Sequence, residues 1–135
     1  MVTNDLKIVK TTKDLLWLII VARKDVPRHI SHSLMSRMQD TAERMLNRIN
    51  YANRAENPQR RIDYLVQLLA EQGTLENYVE FCIEHNLFQG SSRNMPALML
   101  TLVVSIGKQA TGWKANAERR LADKPSYGSG AILRT

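Results

Sequence analysis

Between residues 30 and 52 the apolar side chains fall at Ile30, Leu34, Met38, Ala42, Met45, Ile49 and Ala52, always three or four apart with polar residues between them. A helix closes a turn every 3.6 residues, so this spacing draws one apolar stripe along an amphipathic helix. Pro27 opens the segment, its fixed φ suited to a first helical turn. Three further segments repeat the pattern. One runs from about residue 5 to 24 and is apolar on every side from Leu15 to Ala22 (LLWLIIVA), with Arg23 and Lys24 where a helix C-terminus favours cations. Another, about residues 58 to 87, carries Ile62, Leu65, Leu69, Val79 and Ile83, with bulk from Tyr64, Tyr78 and Phe81. Asn57 and Pro58 supply its cap and first-turn proline. Gly73 interrupts it at up to about 1 kcal/mol relative to alanine, which predicts a kink or a close helix crossing there. After FQGSSRNMP, with Gly90 as a stop and Asn94 or Pro96 as a start, the last segment runs to Leu121. Its stripe is Met99, Leu102, Ile106, Ala110, Trp113, Ala117 and Leu121.

Four long helices joined by short loops predict an all-α, antiparallel up-down-up-down four-helix bundle over residues 1–122. Residues 123–135 hold Pro, Ser and Gly without period and are expected to form a flexible tail. A chain of 135 residues is long enough for one core of its own. The run LLWLIIVA would rise only about 12 Å as a helix, well short of a bilayer, so it reads as a buried helix and not a span. The N-terminus lacks the apolar stretch of a signal peptide. Cys82 is the single cysteine, which leaves no disulfide framework and no multi-cysteine metal site, and its apolar neighbours Phe81 and Ile83 suit an inert core thiol. A cytoplasmic location is the expectation.

Charge narrows the partners. Nineteen Lys and Arg stand against 13 Asp and Glu, a formal charge of +6. The excess is segregated. Residues 27–54 hold Arg28, Arg37, Arg44, Arg48 and Arg54 against Asp40 and Glu43. Residues 106–124 hold Lys108, Lys114, Arg119, Arg120 and Lys124 against Glu118 and Asp123. The third helix is the reverse, with Arg60 and Arg61 facing five acids. Arg37, Arg44 and Arg48 recur at i, i+7 and i+11, which lines them along one helix face clear of the apolar stripe. Such a row suits the phosphates of a nucleic-acid backbone. The same row could instead pair with the acidic third helix, of this chain or of a neighbouring subunit.

Catalytic and ligand motifs are sparse. GKQATGW has two glycines, yet Trp113 stands where a phosphate loop needs lysine and the stretch lies inside a helical pattern whose amides are already bonded. Gly107 and Gly112 read better as packing positions, letting a neighbouring backbone come close and Trp113 lie flat. His29 and His32 stand on one turn without a third ligand beside them, so no metal site is assigned. No nucleophile elbow or paired-carboxylate arrangement is present, and no cofactor motif, so no enzymatic activity is expected.

VPRH at 26–29, ANRAENPQRR at 52–61 and above all IGKQATGWKA at 106–115 resemble a family of small four-helix-bundle proteins. It comprises the accessory variability determinant (Avd) of diversity-generating retroelements and the related protein encoded in intervening sequences of large-subunit rRNA genes. The likeness covers about residues 12 to 121. It implies a homopentameric ring with a basic surface and no catalytic activity. It also implies partnership with a reverse transcriptase and its structured template RNA, or an RNA/DNA hybrid, during mutagenic cDNA synthesis. By matching position, Pro27, Arg28, Arg60, Arg61, Gly107, Lys108, Gly112 and Trp113 correspond to its recurrent features. The candidate RNA-binding set is therefore Arg37, Arg44, Arg48, Arg60, Arg61, Lys108, Lys114, Arg119 and Arg120, with Pro27, Gly107, Gly112 and Trp113 structural. The alternative is a homo-oligomeric interaction module without nucleic acid.

Overall fold

The computed structural model describes residues 6–123, in which helices account for nearly all of the chain and no strand occurs among the described residues. Helix α1 is Lys7–Ala22. Helix α2 is one rod in three contiguous pieces, Arg28–Ile30, the π-turn Ser31–Met35 and Ser36–Arg54. Helix α3 is Pro58–Glu84 and α4 is Met95–Asp123, with short 3-10 turns at Arg23–Asp25 and Gly90–Ser92. Helices α1 and α3 each pack against both α2 and α4, a four-helix bundle around one core. The tail expected over 123–135 lies, beyond Asp123, outside the described residues.

Each helix boundary has a local cause. Asn57 accepts a hydrogen bond from the Gln59 amide at 2.7 Å while Pro58 takes the first turn, so α3 starts where the Asn-Pro pair predicts. It stops earlier than residue 87. Asn86 turns to a left-handed φ of 50°, its amide bonds to the Ile83 carbonyl, and the Leu87 amide reaches back to Cys82, which is a Schellman closure with asparagine in place of glycine. Gly90, with φ of 61°, serves the following turn instead of ending the helix. Asp25 then ties the two loops together: its carbonyl accepts the Gln89 amide at 3.3 Å and its carboxylate accepts the Ser92 hydroxyl.

The π-turn in α2 changes which residues face inward. A wider turn advances the stripe by about one position, so Met35 is fully buried while Leu34 is only partly covered. Arg23 clasps the turn, donating from Nη2 to the Ser31 carbonyl at 2.7 Å and the Ser36 hydroxyl at 2.9 Å, and from Nη1 to Gln39 at 2.9 Å. Beyond it Met38, Ala42, Met45, Ile49 and Ala52 are buried as their spacing predicts.

The expected stripes hold at Ile62, Leu65 and Val79 in α3 and at Met99, Ile106, Ala110 and Ala117 in α4, and shift by a residue or so at other positions. In α3 the inward positions are Ile62, Leu65, Leu68, Gln72, Leu75, Val79 and Cys82, whereas Ile83 and Phe81 are exposed. In α4 Val103 is buried in preference to Leu102, Trp113 is half-buried, and Leu121 lies exposed in the last turn. The largest departure is in α1. Its apolar run was expected to be buried on all sides, yet Trp17 is 64% and Ile20 40% exposed. A helix at the corner of a four-helix square touches two neighbours, so its outward face stays uncovered within the chain.

The three helical glycines differ. A Cβ at Gly107 would sit 2.8 Å from Nε2 of Gln72, a buried amide that donates to the Val103 carbonyl at 3.1 Å and to Glu76 at 2.9 Å. A side chain, and not a neighbouring backbone, therefore fills that gap. At Gly112 no residue other than its chain neighbours comes within 4 Å of where a Cβ would stand, so no neighbouring backbone approaches it. Gly73 faces open space too, and α3 runs through it as one continuous helix.

Candidate nucleic-acid interface

The end of the bundle that carries the α2–α3 connection gathers the start of α1, the last turn of α2, the first turns of α3 and the last turns of α4. Four backbone carbonyls are orphaned at each helix C-terminus, and the end of α2 meets this with Arg61. Its Nε donates to the Ala52 carbonyl at 2.9 Å and its Nη2 to the Ala55 carbonyl at 2.6 Å. A guanidinium carries five N–H groups, so Arg61 is held rigid with donors to spare.

Two clefts flank that anchor. The larger, about 580 Å³, is lined by Lys7, Arg61 and Arg120 together with Trp113, Gln109 and Asn116. Its neighbour, about 490 Å³, is lined by Arg54, Arg60, Tyr51, Tyr64 and the loop through Glu56. In the second, the Tyr51 and Tyr64 rings lie 5.4 Å apart and the Arg54 guanidinium stands 5.6 Å from the Tyr51 ring centre. Cations and aromatic rings thus alternate across one end of the molecule. Bases stack on aromatic faces and phosphates pair with guanidinium, so this pairing of residue types suits single-stranded or splayed nucleic acid.

The structure divides the candidate residues. Arg60, Arg61 and Arg120 are brought to these two clefts. Arg119, on the last turns of α4, contacts only Asn116, at 3.5 Å, among the described residues. Lys114 is one turn from Glu118 and pairs with it at 2.9 Å. Lys108 lies elsewhere, on a shallow groove between α3 and α4 that also contains Glu76. Pro27 precedes the first turn of α2 at the far end.

The row on α2 is largely occupied. Arg44 donates to both oxygens of Glu71, from Nε at 2.9 Å and Nη2 at 3.3 Å, and this hydrogen bond raises its pKa further above the ordinary guanidinium value. Arg48 reaches the same carboxylate at 4.0 Å, while its Nε is buried without a hydrogen-bond partner among the described residues. Only Arg37 of the three is exposed with no ion pair among the described residues. The row and the acidic third helix therefore meet inside one chain.

Lys7, Tyr51, Asn53, Arg54 and Tyr64 were absent from the expected set and belong to the clefts. Tyr51 and Arg54 at the end of α2 and Tyr64 at the start of α3 lie a few residues either side of the α2–α3 connection, whereas Lys7 joins Arg61 and Arg120 only through packing. Reading charge along each helix separately hid both groupings.

Other chemistry is quiet. His29, His32 and His85 are exposed, and among the described residues no group of three His, Cys, Asp or Glu is placed to hold a metal. Burial pushes the Cys82 thiol up to about 11, which keeps it protonated and unreactive near neutral pH. No helix among the described residues is long and apolar enough to cross a membrane. Comparison with protein-family models, curated proteins and solved structures finds no match for the chain.

Proposed function

We propose that this protein is a non-catalytic, basic accessory scaffold. It holds structured template RNA, or an RNA/DNA hybrid, beside a reverse transcriptase in the cytoplasm and supports mutagenic cDNA synthesis. The observation that carries the RNA-binding part is the gathering of Lys7, Arg54, Arg60, Arg61 and Arg120 around Trp113, Tyr51 and Tyr64 at one end of the bundle. The resemblance of IGKQATGWKA and its companion motifs to the retroelement accessory family supplies the polymerase partner.

In this reading the helices run antiparallel, up-down-up-down. Supporting pairs between α2 and α3 run in opposite order, Arg61 with Ala52, Arg44 with Glu71, and Cys82 with Met38. The chain assembles into a homo-oligomeric ring, a pentamer as in the family it resembles. Trp17 and Ile20 on the outward face of α1 support an assembly, because exposed apolar side chains of that size favour burial against a second surface.

The test is direct. Purified protein should retain structured RNA with an affinity that falls steeply between low and physiological salt, and should co-purify with a reverse transcriptase encoded beside it. Absence of both sinks the proposal. The apolar face of α1 also favours a second reading, a homo-oligomeric interaction module without nucleic acid. Reversing Arg60 and Arg120 to glutamate separates the two: RNA binding lost with the oligomer intact supports the scaffold, and RNA binding absent from the start with an unchanged oligomer supports the module.

A further inference from the structure

The larger cleft at the basic end differs in charge from the tyrosine groove and from the groove between α3 and α4. Three cations line it, Lys7, Arg61 and Arg120, and among the described residues none of its lining side chains is a carboxylate. The tyrosine groove includes Glu56 and the α3–α4 groove includes Glu76. At about 580 Å³ the cleft falls within the range of roughly 300–1,000 Å³ typical of small-molecule sites. It is also chemically two-sided. Trp113 offers an aromatic surface while part of its ring packs on the core, Asn116 offers an amide that can donate and accept, and Gln109, its two N–H groups engaged by Thr11 and Ser105, offers an accepting carbonyl oxygen.

Two of these groups are held in place before any ligand arrives. Arg61 is fixed by the Ala52 and Ala55 carbonyls. The Gln109 amide nitrogen is fixed by Thr11 at 3.2 Å and Ser105 at 3.0 Å, with its carbonyl oxygen unpartnered among the described residues. Arg120 and Lys7 are exposed and form no ion pair among the described residues. Pre-positioned donors lower the ordering cost of binding, and the free cations complete the anion site.

We propose that this cleft captures a single unpaired nucleotide of a bound RNA strand. The base stacks on Trp113 and meets the Gln109 and Asn116 amides with its polar edge, and the phosphate rests on Arg61, Arg120 and Lys7. This rests on the RNA-binding reading and adds to it a preference: RNA with a bulged or overhanging nucleotide binds more tightly than a blunt duplex of the same charge.

Trp17 and Trp113 are the only two tryptophans. Trp17→Phe therefore leaves Trp113 as the sole indole reporter. Adenosine 5′-monophosphate should quench its emission saturably, whereas inorganic phosphate should not. A hairpin with one bulged nucleotide should bind about tenfold more tightly than the blunt hairpin, by the usual worth of one base stacked on an aromatic ring. Arg120→Gln, an exposed change, should remove most of the nucleotide quenching, and Trp113→Leu should erase the preference for the bulged over the blunt hairpin. Equal binding of bulged and blunt hairpins together with no saturable quenching overturns the cleft and leaves the broader RNA reading standing. Quenching by the free nucleotide without any bulge preference overturns the assignment to an RNA strand. Failure of every hairpin to bind removes the underlying reading as well.

Discussion

The arginines at the middle of α2 and those at the end of the bundle are the same side chain in opposite circumstances. Arg44 and Arg48 converge on Glu71, a carboxylate on the adjacent helix that is itself mostly covered. Arg60 and Arg120 line open clefts and form no ion pair among the described residues, and Arg61 bonds neutral carbonyls that leave its charge uncancelled. At the waist, positive charge is consumed in joining two helices. At the end, it remains available to an outside anion. A count of charges along the chain does not separate the two regions in this way, because their difference comes from which residues lie across from them.

Several perturbations would break or sharpen this contrast. The greatest loss is expected at the waist, from Gly107→Val. Its side chain would collide with Gln72 and displace the amide from the Val103 carbonyl, lowering stability by about 1–3 kcal/mol in urea unfolding. Arg61→Ala should cost nearly as much, about 2 kcal/mol, because two carbonyls at the end of α2 lose a charged donor. Arg61→Lys should recover only part of it, since an ammonium cannot span both acceptors as the fork does. An Arg61→Ala protein as stable as the parent would mean that the end is not organised around this residue.

Removing both open cations, Arg60→Ala with Arg120→Ala, should leave stability within about 0.5 kcal/mol. It should lower the slope of log affinity against log salt for RNA by about 2, one for each lost phosphate contact. An unchanged slope would place the RNA elsewhere. Glu71→Gln is the finer probe. It frees Arg44 and Arg48, should change stability by less than about 1 kcal/mol because the pair is partly exposed, and should steepen the salt dependence of RNA binding if the waist is otherwise silenced. The smallest effect concerns Cys82. Its folded thiol titrates near 11 against 9.0 unperturbed, so the unfolded thiol ionises first and stability is lost only as pH climbs from about 9 to 11. A thiol reagent at pH 8 should label it at the rate of global unfolding, and rapid labelling of the folded protein would contradict its burial.

Helix number, order and most boundaries were legible from periodicity and caps. Asn57 and Pro58 start α3 as expected, and the α2 stripe from Met38 to Ala52 is buried as spaced. What periodicity missed has physical causes. The π-turn at Ser31–Met35 carries no composition of its own and moves the stripe from Leu34 to Met35. Asn86 took the left-handed position expected of Gly90, because asparagine tolerates that φ and the closing amides fell there. The two glycines of GKQATGW look alike in sequence, yet only Gly107 meets a neighbour. Half of the candidate site was readable, in Arg60, Arg61 and Arg120. Of the rest, Tyr51, Arg54 and Tyr64 sit near Arg60 in the chain but join it in one groove only when the α2–α3 connection folds back, and Lys7 is brought from a distant segment.

Local chemistry was enough to make four helices with one apolar side each, because hydrogen bonding within a helix and the period of its side chains depend on near neighbours alone. Whether an arginine is spent or free, and whether α1 is covered or bare, depended on what packing set opposite it. Partners across a bundle are separated by tens of residues, and a Coulomb or van der Waals contact is decided by distance in space, which the order of residues does not contain.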